Sequence, residues 1–376
     1  MRVAIVHDWL TAFAGAEQVL TQMLACYPQA DLFCIVDFMT QEQRGFLQGT
    51  RINTSFIQNV PFAKTRYRQY LLFMPLAVEQ FDLSDYDLVI SSSHAVAKGV
   101  LTGPDQLHLC MCYSPMRYAW DLHHTHLRQA GLDRGLTGWA AKYVLHKMRI
   151  WDARTAAGVD EFAAISHFVA RRIWKTYRRR SQVIYPPVEG ARFVPGNIKD
   201  DFYFTASRMV PYKRLDVIVE AFNHMPEKKL LVAGDGPDFH KIKNLSGKNI
   251  QLLGYQPQDR LIEYMQRARA FVFAAEEDFG IAPLEAQACG TPVIAFGKGG
   301  AKETLRGLDD AHPNAVFFEE QSAAALIAAV GIFEREAARF DPARIRDNAL
   351  QFSVARFKEN FVAFVEQALR AQRSPL

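Results

Sequence analysis

The stretch Ala270-Phe271-Val272-Phe273-Ala274-Ala275-Glu276-Glu277-Asp278-Phe279-Gly280-Ile281-Ala282-Pro283-Leu284-Glu285 reads as strand, turn and helix in immediate succession. Its apolar run at 270–275 predicts a buried strand. Pro283 fits a first helical turn, where its missing N–H costs nothing. Residues 284–289 favour helix, Gly290 fits the stop just past its end, and Pro292 lies beyond. Glu277 and Glu285 therefore stand eight apart, one at a strand end and the other in the next helix. Both can face the crevice outside the carboxyl ends of a parallel sheet, where open α/β folds bind ligands. The helix N-terminus between them favours an anion.

The same alternation extends in both directions. Strands are expected at 2–6, 32–36, 88–92, 107–112 and 161–165, then at 202–206, 229–233, 250–253, 270–275 and 292–295. Helix-length amphipathic stretches separate them, which predicts a parallel α/β architecture. Between the two series, Val183-Ile184-Tyr185-Pro186-Pro187-Val188 and a polar stretch to Asp201 read as a hinge. Phe352, Phe357, Phe361 and Phe364 recur at helical spacing and predict a long final helix on an apolar surface. The domains are expected at 1–188, with the terminal segment 353–376, and at 189–352.

At 376 residues and 49% hydrophobic, the chain can bury two cores without covalent staples. A net charge of +4 lacks the concentrated basic footprint of a nucleic-acid binder. Cys26, Cys34, Cys110, Cys112 and Cys289 are odd in number and hold no Cys-x2-Cys pair, so a reducing cytoplasm fits best. The apolar run at 3–6 is too short for a signal-peptide core. The longest apolar run, 323–333, predicts a buried helix rather than a membrane span.

Two cations, Arg208 and Lys213, follow the first strand of the second half and can clamp the phosphates of a diphosphate. An ordinary solvated loop would look the same in isolation; the nearby carboxylate segment favours the clamp. Ala14-Gly15 opens a helix after the first strand, and small residues there let backbone N–H groups approach a ligand. It is not a Gly-x-Gly-x-x-Gly fingerprint. Gly234-Asp235-Gly236-Pro237 ends a later strand with a tight turn. Asp85-Tyr86-Asp87 precedes its strand, the wrong end for a ligand site, and neither Cys110/Cys112 nor His123, His124 and His126 has the partners a metal needs. No metal site is expected. Two basic, aromatic-laced runs, 64–74 and 171–180, read as solvated helix faces or as contacts with an anionic leaflet.

Together these residues resemble the retaining family 4 glycosyltransferases of the GT-B fold, over nearly the whole chain. The Glu277-to-Glu285 signature carries most of the likeness, with Arg208, Lys213, the Gly234 turn, Gly254-Tyr255 and the Ala14-Gly15 loop. Tyr113-Ser114-Pro115-Met116-Arg117-Tyr118-Ala119-Trp120-Asp121 and Arg149-Ile150-Trp151-Asp152 resemble a branch acting in bacterial surface polysaccharide assembly. The likeness implies two doubly wound Rossmann-like domains facing across a cleft, with the last helix crossing back to the first. It implies that Arg208 and Lys213 bind the donor diphosphate, Glu285 the ribose, and Glu277 with the backbone of Phe279, Gly280 and Ile281 the donor sugar. Gly15, Gly234 and Tyr255 complete the donor set, while Ala14, His94, Tyr113 and Arg117 line the acceptor side. Many relatives carry His where this chain has Tyr113, a departure that weakens the assignment of a catalytic His and turns attention to His94, at a strand end, as a residue lining the crevice.

The reaction so implied moves mannose or D-rhamnose from a GDP-sugar to an undecaprenyl-diphosphate-linked glycan, at the cytoplasmic surface of the inner membrane and with no cofactor. Glu277 serves as nucleophile or as a positioning group. Three rivals share much of this description: a UDP-sugar-dependent transferase of the same fold, a sugar-nucleotide epimerase that needs no acceptor, and a membrane-docked binding scaffold. An NAD-dependent oxidoreductase would need the phosphate fingerprint that this chain lacks.

Overall fold

The computed structural model describes residues 1–47, 49–196 and 198–373; residue 197 of the expected hinge and 374–376 of the expected terminal segment lie outside them. The chain divides into two compact units, Met1–Pro187 with the chain from Phe357 onward, and Val188–Arg356.

The first unit is built on seven parallel strands: β1 (Val3–His7), β2 (Asp31–Cys34), β3 (Ile52–Thr54), β4 (Leu88–Ser93), β5 (Leu107–Cys112), β6 (Glu161–Ala164) and β7 (Ser181–Val183). They lie in the order β3-β2-β1-β4-β5-β6-β7. Central strands of such a sheet are covered on both faces, so they read as continuous apolar runs. Every residue of β1 is buried, and Ile5 pairs with Leu32 on one side and Ile90 on the other. Asp85 and Asp87 sit at the amino end of β4 and hold Arg2: Asp85 as an ion pair at 3.1 Å, Asp87 as acceptor for its backbone N–H at 2.6 Å.

The second unit has β8 (Tyr203–Ala206), β9 (Leu230–Ala233), β10 (Ile250–Gly254), β11 (Phe271–Phe273), β12 (Val293–Phe296) and β13 (Ala315–Phe318). The order is β10-β9-β8-β11-β12-β13, again all parallel. Each unit is thus doubly wound, with strand order reversing between β1 and β4 in the first and between β8 and β11 in the second. The α/β expectation of two Rossmann-like sheets is met.

Several elements differ from the sequence reading. The helix Ala323–Arg335 buries only one face, through Leu326, Ala329, Val330 and Phe333, because Ala supplies much of its apolar count without demanding burial. The 21-residue helix Gly135–Thr155 was not legible, since apolar side chains occur on its exposed as well as its buried face. In the final helix, Val354–Arg373, the side chains of Phe357, Phe361 and Phe364 are buried, with Phe361 edge-on to Tyr27 at 6.2 Å.

Candidate functional site

Because all strands of a unit run parallel, their carboxyl ends share one edge of the sheet. In the second unit that edge collects the turns after β8, β9, β10, β11 and β12, and so every donor-side residue expected from sequence except Gly15, which lies in the first unit. Arg208 and Lys213 follow β8 and Glu277 follows β11. They flank the point where strand order reverses, the place where doubly wound sheets bind ligands.

Lys213 Nζ is hydrogen-bonded and ion-paired to Glu277 Oε1. The pair is largely sheltered, with the two side chains 16% and 18% exposed. Arg214, next in the chain, holds a left-handed φ of 55°. It is fixed there by its bonds to Asp216 (3.1 Å) and Gln321 (3.2 Å), and Gln321 in turn donates to the Ala274 carbonyl at 2.7 Å. A non-glycine residue in that region stores strain that the surroundings must hold; here they tie the Lys213 turn to the end of β11. Arg208 is exposed, and no carboxylate lies within ion-pair distance of it among the described residues.

Two glycine turns close against these segments from behind. Gly234, at φ 128°, passes so close to the Ser207 turn that a Cβ would stand 1.9 Å from the Ser207 carbonyl oxygen. Met209 N–H donates to the Asp235 carbonyl at 2.8 Å, and Gly234 N–H to the Gly254 carbonyl at 2.8 Å. Tyr255 therefore follows directly on that contact, with 80% of its surface exposed. At β12, a Cβ on Gly299 would lie 2.3 Å from the Glu277 carbonyl oxygen and one on Gly300 2.4 Å from Phe279 Cα, while Gly300 N–H donates to Glu277 at 2.8 Å. The Gly299-Gly300 pair escaped the sequence reading, although two adjacent glycines after an apolar run signal such a close approach.

The helix Ile281–Ala288 starts as expected, with Gly280 at its N-cap (φ 91°) and Gly290 in the left-handed region just past its end. Phe279 is buried edge-on to Phe352 at 5.8 Å, and Glu285 lies half-buried in the helix's second turn. Ser207 Oγ is buried without a hydrogen-bond partner, an orphan hydroxyl at the same strand edge.

The first unit repeats the arrangement across β1 and β4. Asp8, directly after β1, is fully buried and accepts backbone N–H bonds from His94, Ala95, Val96 and Ala97 at 2.6–3.0 Å. It also holds His94 Nδ1 at 2.9 Å. Burial alone would raise the Asp8 pKa, but the charge and hydrogen bonds of His94 and the loop amides hold it well below the carboxylate range. Burial works against a charged His94 too; the Asp8 carboxylate outweighs it and raises the imidazole above its ordinary value. Trp9 fixes the ring edge-on at 4.7 Å.

Beside them, Tyr113 is buried, its hydroxyl 3.2 Å from the Ala16 carbonyl and 2.8 Å from Ser92 Oγ, which meets His7 Nδ1 at 2.9 Å. Glu17 accepts from Ala14 N–H at 2.9 Å and faces His7 Nε2 at 3.5 Å. Tyr113 is thus engaged in holding the first helix against the sheet, with Ala14 at that helix's N-cap and Gly15 in its first turn. Arg117 is half-buried and close enough to His94 to act on its charge. Sequence reasoning missed Asp8, Glu17 and His7; the abrupt switch from apolar run to His7-Asp8 at a strand end was the available signal.

Residues 191–351 match the family model for glycosyl transferases group 1. An uncharacterized glycosyltransferase of Methanocaldococcus jannaschii is 29% identical over 152 residues, 39% of this chain and 42% of that one. The GDP-mannose-dependent monoacylated alpha-(1-6)-phosphatidylinositol monomannoside mannosyltransferase of Corynebacterium glutamicum is 30% identical over 178 residues, 39% of this chain and 47% of that one. The chain spans less than half the length of these curated relatives. Among solved structures, Anabaena HepE in complex with UDP and glucose superposes with a TM-score of 0.70 at 16% identity, covering 97% of this chain and 99% of that one. Sucrose-phosphate synthase from Thermosynechococcus elongatus gives 0.72 at 16% identity over 99% and 100%. The fold is that of the GT-B glycosyltransferases, and the stretch matched by the glycosyl transferases group 1 model holds Arg208, Lys213, Glu277 and Glu285.

Proposed function

We propose that this chain is a retaining hexosyltransferase that moves mannose or D-rhamnose from a GDP-sugar to an undecaprenyl-diphosphate-linked glycan, working peripherally at the cytoplasmic face of the inner membrane. The observation that carries the proposal is the Lys213–Glu277 ion pair at the strand-order reversal. It brings the expected diphosphate cation and the expected sugar carboxylate to one point from two separate loops. The GDP-mannose dependence of the Corynebacterium relative supports the donor base; the UDP bound by Anabaena HepE makes UDP-sugars the comparison to run.

In this reading Glu277 keeps Lys213 oriented until a donor arrives. As the glycosidic bond breaks, charge accumulates on the diphosphate. Arg208, Lys213 and the amides that open the helix at Ile281 stabilise that charge without a metal. Glu277 faces the sugar, Glu285 takes the ribose hydroxyls, and Tyr255 lies by the base. His94, its pKa raised by the Asp8 carboxylate, and Arg117 serve the acceptor side. Preorganised groups of this kind contribute on the order of 100-fold or more in rate.

Labelled GDP-mannose, GDP-rhamnose and UDP-glucose, each incubated with lipid-linked glycan acceptors, test the proposal. Turnover with a GDP-sugar that falls about 100-fold in Lys213→Ala supports it. Full turnover in that variant removes the diphosphate clamp. A Glu277→Gln protein with parental turnover would leave Glu277 a positioning role only.

A further inference from the structure

The exposed face of the helix Gly135–Thr155 carries Leu136, Trp139, Tyr143, Lys147 and Ile150, spaced three and four residues apart and so aligned in one stripe. Leu136 is 89% exposed, Trp139 68% and Ile150 53%. Trp139 and Tyr143 stack on each other at 5.9 Å, and Lys147 lies over the Tyr143 ring at 5.3 Å. The opposite face is fully engaged: Asp152 is buried against Lys98 (2.5 Å), Trp120 (2.7 Å) and Tyr177 (2.9 Å).

This helix packs on the segment Tyr67–Phe73. Around that segment Phe62, Leu72, Phe73 and Leu76 are exposed as well. Lys64, Arg66, Arg68, Lys142, Lys147 and Arg154 accompany these apolar groups, and none lies within ion-pair distance of a carboxylate among the described residues. Of the nearby acids, Asp133 pairs with Arg134 and Glu79 accepts from Trp151. In the basic run 171–180, Arg172 is bound to Asp121, and Arg179 to the Ala156 and Asp160 carbonyls. Among the described residues no helix is long and apolar enough to cross a membrane.

We propose that the outer face of Gly135–Thr155, with the neighbouring 62–76 segment, docks on an anionic lipid surface. Aromatic and aliphatic side chains enter the interface while the unopposed cations meet lipid phosphates. This gives the peripheral location proposed above a specific surface, and its test reads vesicle binding rather than sugar transfer, so either can fail alone.

Co-sedimentation of the full chain with phosphatidylcholine vesicles, with and without phosphatidylglycerol, provides the test. The expected result is binding at least about tenfold tighter with phosphatidylglycerol, weakening as salt rises. Trp139→Ser with Tyr143→Ser, and separately Lys142→Glu with Lys147→Glu, should each weaken it on the order of tenfold at unchanged melting temperature. Absence of binding to phosphatidylglycerol vesicles, or binding by either double variant as tight as the parent's, overturns the proposal. So does self-association in solution that Trp139→Ser abolishes, because a second copy would then occupy the face.

Discussion

His94 and His108 both lie in the first unit, but their surroundings act on them in opposite senses. His94 faces the Asp8 carboxylate, which overcomes burial and raises its pKa. His108 is wholly buried in β5; burial lowers it to about 4, opposed only in part by its bond to the Gly158 carbonyl at 3.1 Å. That carbonyl can only accept, so Nδ1 carries the proton of the neutral ring. An NMR titration of the ring protons should therefore find His94 still charged above pH 6.5 and His108 neutral down to about 4. In Asp8→Asn, the His94 midpoint should fall; an unmoved midpoint would remove Asp8 as its cause. Sequence placed His94 at a strand end but not its partner, because Asp8 is 86 residues away and only strand order brings the two together.

At the level of elements, the turns behind Arg208, Lys213 and Glu277 are fixed by glycines whose roles differ. Gly234 has both a left-handed φ and backbone within 1.9 Å of a Cβ, so Gly234→Ala must displace the Ser207–Arg208 turn. The expected cost is about 2 kcal/mol or more, with weakened nucleotide binding. Gly254 has φ 67° but nothing within 4 Å, so Gly254→Ala should cost only the left-handed penalty of about 1 kcal/mol. Equal effects in denaturant melts of the two variants would contradict this reading. The strand–turn–helix around Glu277 was legible because each local signal agreed: apolar run, Pro283 in the first turn, Gly290 at the stop. The helix Gly135–Thr155 was not, because an exposed apolar stripe blurs the periodicity by which an amphipathic helix is recognised. The strand β13 (Ala315–Phe318) escaped too; four apolar residues fit a strand or a helix segment equally well.

For the whole molecule, acid stability of the first unit follows from the same groups. His108 is neutral when folded and titrates at about 6.5 when unfolded. Between pH 6.5 and about 4 the unfolded chain binds the extra proton, so the stability contributed by neutral His108 is complete above 6.5 and lost as pH falls towards 4. The loss amounts to about 3 kcal/mol. Asp8 adds a further loss only below about 3.9, where its unfolded carboxyl begins to protonate. His94 works the other way: its contribution is full below 6.5 and fades as pH rises through its raised pKa. All five tryptophans (Trp9, Trp120, Trp139, Trp151 and Trp174) lie in the first unit, so their fluorescence reports its unfolding alone. In urea melts, His108→Gln should flatten the decline between pH 6.5 and 4; an unchanged slope would refute the assignment. At this scale sequence was most informative, because buried parallel strands announce themselves as apolar runs. It could not supply strand order, and strand order is what places Lys213 beside Glu277.

In the proposed function, Lys213 and Arg208 receive the donor diphosphate at the reversal between β8 and β11. A crystal structure of the chain with GDP tests this most directly. Diphosphate oxygens are expected within about 3.2 Å of both side chains, with Glu285 at the ribose. Nucleotide bound at another strand edge, with Lys213 still closed on Glu277, would contradict it.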